Sequence, residues 1–174
     1  MYLYHRVPDN MDGTILYPLN ELRLIKPELY EAHAKKYRKR EALMDRRIPH
    51  LNCLWNDVLF FTAVHPSVFR KAFERFCWRL PPFRCFRFSP TGLNPTLMTV
   101  LTRMSGPRGG FEEYEPFDPH NLEKHATIPQ ETFDYWNDEI SSGSRSVFLW
   151  LHIPHILHRG PLDTRLATIE ESTA

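Results

Sequence analysis

Proline punctuates this chain. Fifteen prolines stand against seven glycines. Because proline lacks an N–H and holds φ near the helical value, it suits the first position of a helix and disrupts later ones. Several prolines occupy such starting positions. Lys26-Pro27 opens "PELYEAHAKKYRKREALM", where Tyr30, Ala34, Tyr37, Glu41 and Met44 keep helical spacing, so the pattern predicts a helix over 27–45. His65-Pro66 precedes "VFRKAFERFCW", with Phe69, Ala72, Phe73 and Phe76 on one stripe. Asn94-Pro95 precedes "TLMTVLTRM", read as a helix with Leu97, Met98 and Leu101 on one face and Gly106 as its stop. Asp118-Pro119 introduces "HNLEKH" in the same way, and Thr127-x-x-Gln130 has capping-box spacing ahead of "ETFDYWNDEI".

Strand patterns lie between these segments: "YLYHRV", "DVLFFTAV", "RCFRFS", "SVFLWLHI" and "RLATIE". "RCFRFS" alternates, with Arg84, Phe86 and Phe88 on one side and Cys85 and Arg87 on the other. "DVLFFTAV" and "SVFLWL" are almost continuously apolar and read as central strands. Helices and strands do not alternate strictly, so residues 1–174 are expected to form a single α+β domain with a small mixed sheet flanked by helices. "MSGPRGGFEEYEPFDP" holds three of the seven glycines and reads as the loop most able to move.

The length of 174 residues suits one compact unit, and 13% aromatic content supplies enough large side chain for a core without cross-links. The net charge of +1 excludes no class of partner, but its distribution is uneven. Seven basic residues (Lys35, Lys36, Arg38, Lys39, Arg40, Arg46, Arg47) face only Glu41 and Asp45 over 35–47, whereas 112–139 is strongly acidic. These runs are either solvated faces or, for the basic one, a guide for a phosphate-bearing or acidic partner, including a second copy of the chain in a homodimer. Cys53, Cys77 and Cys85 form no C-x-x-C pair, which suits buried thiols in a reducing cytoplasm. No apolar run reaches the ~20 residues of a membrane-spanning helix, and the N-terminus lacks a signal-peptide layout, so no membrane partner is expected.

The common catalytic signatures are missing: there is no Walker loop, G-x-G-x-x-G, G-x-S-x-G, H-E-x-x-H or C-x-x-C. Three groups of residues remain as candidates. In "LWLHIPHILHRGPLD", His152, His155 and His158 are spaced by three; in a strand His152 and His158 share a face and His155 opposes them, so a metal site would need a turn at Ile153-Pro154, and no metal is expected. The alternatives are histidines satisfied by backbone or carboxylate partners, or an acid, base or phosphate contact. In "LNCLWNDVLFFTAVHP", Asn52, Asn56, Asp57, Thr62 and His65 bracket an apolar strand, as ligand contacts or as turn and cap residues. Trp55 beside them stacks on a base or fills the core. In "YLYHRVPDNMDGTILYPLN", His5 and Arg6 point to opposite sides of a strand, and Tyr17 and Asn20 follow a turn at Asp12-Gly13. A neutral imidazole suits ribose hydroxyls and an aromatic ring suits a flat heterocycle, although both also serve as ordinary core groups.

A leading strand ending in "YH", then "DVLFFTAVHP", "FRCFRFSP" and "HILHRGPLDTRLATIE" resemble the order of elements in small bacterial ADP-ribosyltransferase-like domains; the opening also looks like that of uncharacterised bacterial proteins. The resemblance implies a fold of that type and a nucleotide ligand, NAD, from which ADP-ribose is transferred to a nucleic-acid or protein acceptor. His5 then matches the residue that holds the ribose and Tyr17 the ring that stacks on nicotinamide. His155 or a glutamate of 112–115, Glu113 foremost, matches the group that directs transfer. Arg6 and Arg47 are the phosphate contacts expected on this reading, with Asn20 beside them. The rival readings are a non-catalytic interaction module using the basic segment 35–47, and an RNA-directed protein, either a nuclease with His5 and the late histidines as acid and base or an RNA binder, with Arg84 and Arg87 on the same face as that segment.

Overall fold

A computed structural model describes residues 1–38, 40–104 and 111–172. Its centre is built from β1 (Leu3–Arg6), β5 (Val58–Phe61), β6 (Arg84–Phe88), β7 (Met98–Met104), β8 (Glu112–Pro116), β9 (His155–Arg159) and β11 (Ala167–Glu171). One sheet has the order β1-β6-β11 and another β5-β9-β7-β8. They meet where Tyr4 and Thr62 exchange backbone hydrogen bonds of 2.8 and 3.0 Å, so the strands follow the order β11-β6-β1-β5-β9-β7-β8. The α+β class expected from the sequence is observed. The sheet is not mixed, however, because every strand pairing among the described residues is antiparallel. Helix-bearing connections alone do not set strand direction, and here each returns the chain antiparallel to its new neighbour.

Short ribbons complete the set: β2 (Ile15–Leu16) with β10 (Leu162–Asp163), and β3 (Arg47–Ile48) with β4 (Cys53–Leu54). The helices are α1 (Leu19–Ile25), α2 (Pro27–Ala34), α3 (Pro66–Glu74) and α4 (Gln130–Ser141). Alternation along the strands divides the core in two. Leu59, Phe61, Val100 and Ile156 join Leu3, Phe86 and Phe88 on one face. Val58, Leu101 and Leu157 meet Leu19, Tyr37, Leu43 and Trp55 on the other. A third cluster holds α3 and α4 together through Phe69, Phe73 and Trp136.

Pro27 and Pro66 occupy first helical turns as expected, and His65 caps α3 by accepting from the Ser67 N–H at 3.2 Å. Other expectations are corrected. The helix over 27–45 ends at Ala34 and gives way to 3₁₀ turns at Lys35–Tyr37 and Glu41–Leu43. Continuing it would keep Tyr37 and Leu43 from the core positions they occupy. The helix expected after Asn94-Pro95 is a 3₁₀ turn at Pro95–Leu97 followed by strand β7, whose first four residues are all buried. Its β-branched Thr99, Val100 and Thr102 suit a strand covered on both faces. "HNLEKH" forms only a 3₁₀ turn at Glu123–His125, and α4 starts after Pro129 without a side-chain cap, so Thr127 and Gln130 form no capping box.

"SVFLWLHI" is not a strand. Turns from Phe148 O to Leu151 N–H and from Trp150 O to Ile153 N–H fold it, His152 takes φ 62°, and the strand begins only at His155, after Pro154. Of the expected mobile loop, 105–110 lie outside the described residues, and Glu112–Pro116 form β8 instead.

The α3–α4 cluster depends on Trp136, which is fully buried, stands 4.5 Å from the Phe73 ring and donates from Nε1 to Phe148 O at 3.3 Å. Trp136→Ala should cost about 3–5 kcal/mol and lower the urea unfolding midpoint accordingly. A midpoint unchanged from wild type would show that this cluster does not contribute to global stability.

Candidate functional site

A regular antiparallel ladder continued from the Tyr4–Thr62 pair would set Arg6 opposite Phe60 and give the Phe60 carbonyl to the Arg6 N–H. The structure does something else. His5 donates from Nδ1 to Phe60 O at 2.8 Å, replacing a backbone bond with a side-chain one, and β1 and β5 diverge beyond that point. The chain from Val7 to Tyr17 and the helices α1 and α2 cover the opening, leaving a pocket of about 510 Å³. Its apolar walls include Leu16, Leu22, Leu29, Phe60 and Trp150.

His5, Arg6 and Tyr17, all chosen from the sequence, line this pocket together. Burial pushes the His5 imidazole down to about 4, outweighing the bond to Phe60 O, with repulsion from Lys36 added. His5 is therefore neutral near pH 7. With its proton on Nδ1, Nε2 is left as an acceptor. The Arg6 guanidinium is exposed and lies 5.9 Å from the centre of the Phe83 ring.

Asn20 and Arg47 do not line the pocket. Asn20 donates from Nδ2 to Asp57 Oδ1 at 2.6 Å, while Asp57 Oδ2 accepts from the Leu54 N–H at 2.7 Å. Asp57 is thus a bracket between α1 and the turn Trp55–Asp57. Arg47 is exposed on β3 and donates to Asn52 Oδ1 at 3.3 Å.

The two other catalytic candidates also stand apart from His5. Glu113 is exposed on β8, opposite Arg103. That is four strand positions from β1, on the order of 19 Å at the usual strand spacing. His155 packs its ring 5.8 Å from Phe60, whereas His5 packs 5.3 Å from Phe61, so the two imidazoles belong to opposite sides of β5. The neighbouring glutamates have their own partners: Glu112 pairs with Arg46, and Glu115 with Lys124 and His125. Nor do the late histidines converge. Nδ1 of His152 is 3.2 Å from Met104 O, Nδ1 of His158 is 3.4 Å from Gly160 O, and odd spacing sends His155 and His158 to opposite faces of β9. Among the described residues no group of three or more His, Cys, Asp or Glu could hold a metal ion. No helix among them is long and apolar enough to cross a membrane.

Two further pocket residues were named from the sequence only as members of larger groups. Lys36 belongs to the basic run, and burial holds its ammonium below the ordinary lysine value, with Arg40 adding repulsion. Neither Lys36 nor Arg6 has an ion-pair partner among the described residues, whereas Lys26 at the pocket edge is bound to Asp12 at 3.0 Å. The other is Asn56, which is 1% exposed and lines the pocket. The sequence shows the Asn56-Asp57 pair before an apolar strand but not which member turns inward.

Comparisons of the chain with protein-family models, curated proteins and solved structures find no match. The geometry of the pocket is therefore the basis for a functional reading.

His5 and His155, both half-buried, imply a sign for the pH dependence of stability. Burial also lowers His155 to about 4, against backbone hydrogen bonds that favour its charged form. For both residues the unfolded chain binds the proton more readily, so their contribution is complete above about pH 6.5 and is lost as pH falls towards 4. The slope is up to about 1.4 kcal/mol per pH unit for each histidine. Urea unfolding between pH 7 and 4.5 should show this fall, and His155→Gln should flatten it. An unchanged slope in that variant would show that His155 is not held neutral.

Proposed function

We propose that the pocket between β1 and β5 binds a nucleotide, with NAD the form that the order of elements suggests. The observation that carries this reading is the fixed His5 in the same pocket as Lys36 and the Tyr17 ring. Each corresponds to one part of such a ligand. The Nε2 lone pair accepts from a ribose hydroxyl, the Lys36 and Arg6 charges attract phosphate, and the aromatic and leucine walls receive a planar base. An ADP-ribosyltransferase-like architecture, and transfer to a nucleic-acid or protein acceptor, belong to the wider form of this reading and rest on the resemblance alone. Neither Glu113 nor His155 lines the pocket, so binding has better support from the geometry than transfer.

Thermal unfolding with increasing NAD and ADP-ribose tests the proposal. A ligand at a hundred times its Kd stabilises by about 2.7 kcal/mol, a shift of several degrees for a chain of this size. His5→Ala leaves the Phe60 carbonyl without its partner and should cost about 1–3 kcal/mol, while keeping a cooperative transition and losing the ligand-induced shift. Lys36→Gln should weaken the shift without lowering the unliganded transition comparably. No shift in the wild-type protein with either ligand at millimolar concentration would end the nucleotide reading.

A further inference from the structure

We infer that Asn56 is the specificity-determining residue of the pocket, and that it recognises a planar group carrying a hydrogen-bond donor and acceptor side by side. Asn56 is 1% exposed and belongs to the cavity lining, yet neither Oδ1 nor Nδ2 has a hydrogen-bond partner among the described residues. Buried carboxamides are normally satisfied, because leaving a desolvated donor and acceptor unmade is unfavourable. The neighbouring Asp57 shows the contrast, since its carboxylate and carbonyl accept from Asn20, Leu54 and Gly160. Those bonds fix the turn Trp55–Asp57 and so fix where Asn56 points. The turn is held firmly while the carboxamide of its one pocket-lining residue is left unpaired.

A carboxamide offers one acceptor and a donor in a plane, and its complement is another amide or an amino-substituted heterocycle edge. This inference rests on the nucleotide reading and refines it. Within a nucleotide such as NAD the complement is present twice, in the carboxamide of nicotinamide and in the amino edge of adenine. Asn56 reads this shared chemistry.

The test uses the full chain and two pairs of mononucleotides. Nicotinamide mononucleotide is compared with nicotinic acid mononucleotide, which replaces the amide with a carboxylate. AMP is compared with purine riboside monophosphate, which lacks the amino group. Calorimetric Kd values should differ by about tenfold or more in at least one pair, because a site built to bond a polar group rejects the analogue lacking it. The pair that discriminates identifies the source. Lys36 would attract the extra carboxylate, so discrimination against nicotinic acid mononucleotide would stand against that bias. Asn56→Leu should abolish the discrimination and raise the unliganded melting temperature, since it removes the unpaired groups at similar volume; Asn56→Ala serves as a second variant. Equal affinities within both pairs, or discrimination that survives in both variants, would overturn the inference while leaving the nucleotide reading intact. Binding of none of the four would overturn both.

Discussion

The hydrogen bond from His5 to the Phe60 carbonyl is the constraint on which the central architecture turns. Among the described residues the two larger sheets are joined by a single backbone pair, Tyr4 with Thr62, and the next carbonyl along is taken by a side chain. A continued ladder would have closed the seam and left no cavity. An open seam without a donor would have left Phe60 O unsatisfied beside apolar walls, which is costly. An imidazole at this position resolves both problems, because one nitrogen substitutes for the missing N–H and the ring fills space against Phe61. The same bond fixes the tautomer, so the sheet defect and the polarity of the pocket have one cause.

The cover over the seam is held by polar ties at its margins. Asn20 and Asp57 join α1 to the turn before β5, and Lys26 and Asp12 join the helical layer to the segment after β1. Lys26 Nζ stands 3.0 Å from Asp12 Oδ2, and that hydrogen bond is the largest cause holding the Asp12 carboxyl below its usual value. Lys26 and Asp12 neutralise each other, and of the remaining charges at the pocket Lys36 and Arg6 outnumber Asp9, so the balance is positive. An anion is the natural complement, although total net charge gives no sign of it.

How much of this was legible depended on whether local pattern or tertiary pairing decided each segment. Pro66 and the Phe69, Ala72, Phe73 stripe predicted α3 because both signals are local. "TLMTVLTRM" carried a helical spacing of Leu97, Met98 and Leu101, but burial on both faces between β8 and β9 made it a strand. "SVFLWLHI" had the composition of a central strand, and the turns before Pro154 moved that strand to His155. That shift changed which histidines share a face. At the site, His5, Arg6 and Tyr17 were accessible to sequence reasoning because they lie within one short stretch, whereas Lys36 and Asn56 reach the pocket only through the packing of α2 and the Asp57 bracket. Arg47 was the wrong member of the basic run for the pocket because β3 holds it exposed beside Asn52, whereas Lys36 sits in the turn that follows α2.

The pairing of a neutral histidine with a nearby lysine limits what the pocket can do. Burial is the largest cause lowering His5, and repulsion from Lys36 is a smaller one. An anion placed beside Lys36 would remove only the smaller cause, since a ligand that fills the pocket adds to burial. His5 would therefore stay neutral in the occupied pocket near pH 7, an acceptor through Nε2 and a poor source of protons. Asp12 is engaged by Lys26, and the sheet keeps His155 and Glu113 away from His5. A pocket in which Arg6, Lys26 and Lys36 outnumber Asp9 and Asp12, and whose histidine is fixed as an acceptor, is suited to holding and orienting a polar, anionic ligand.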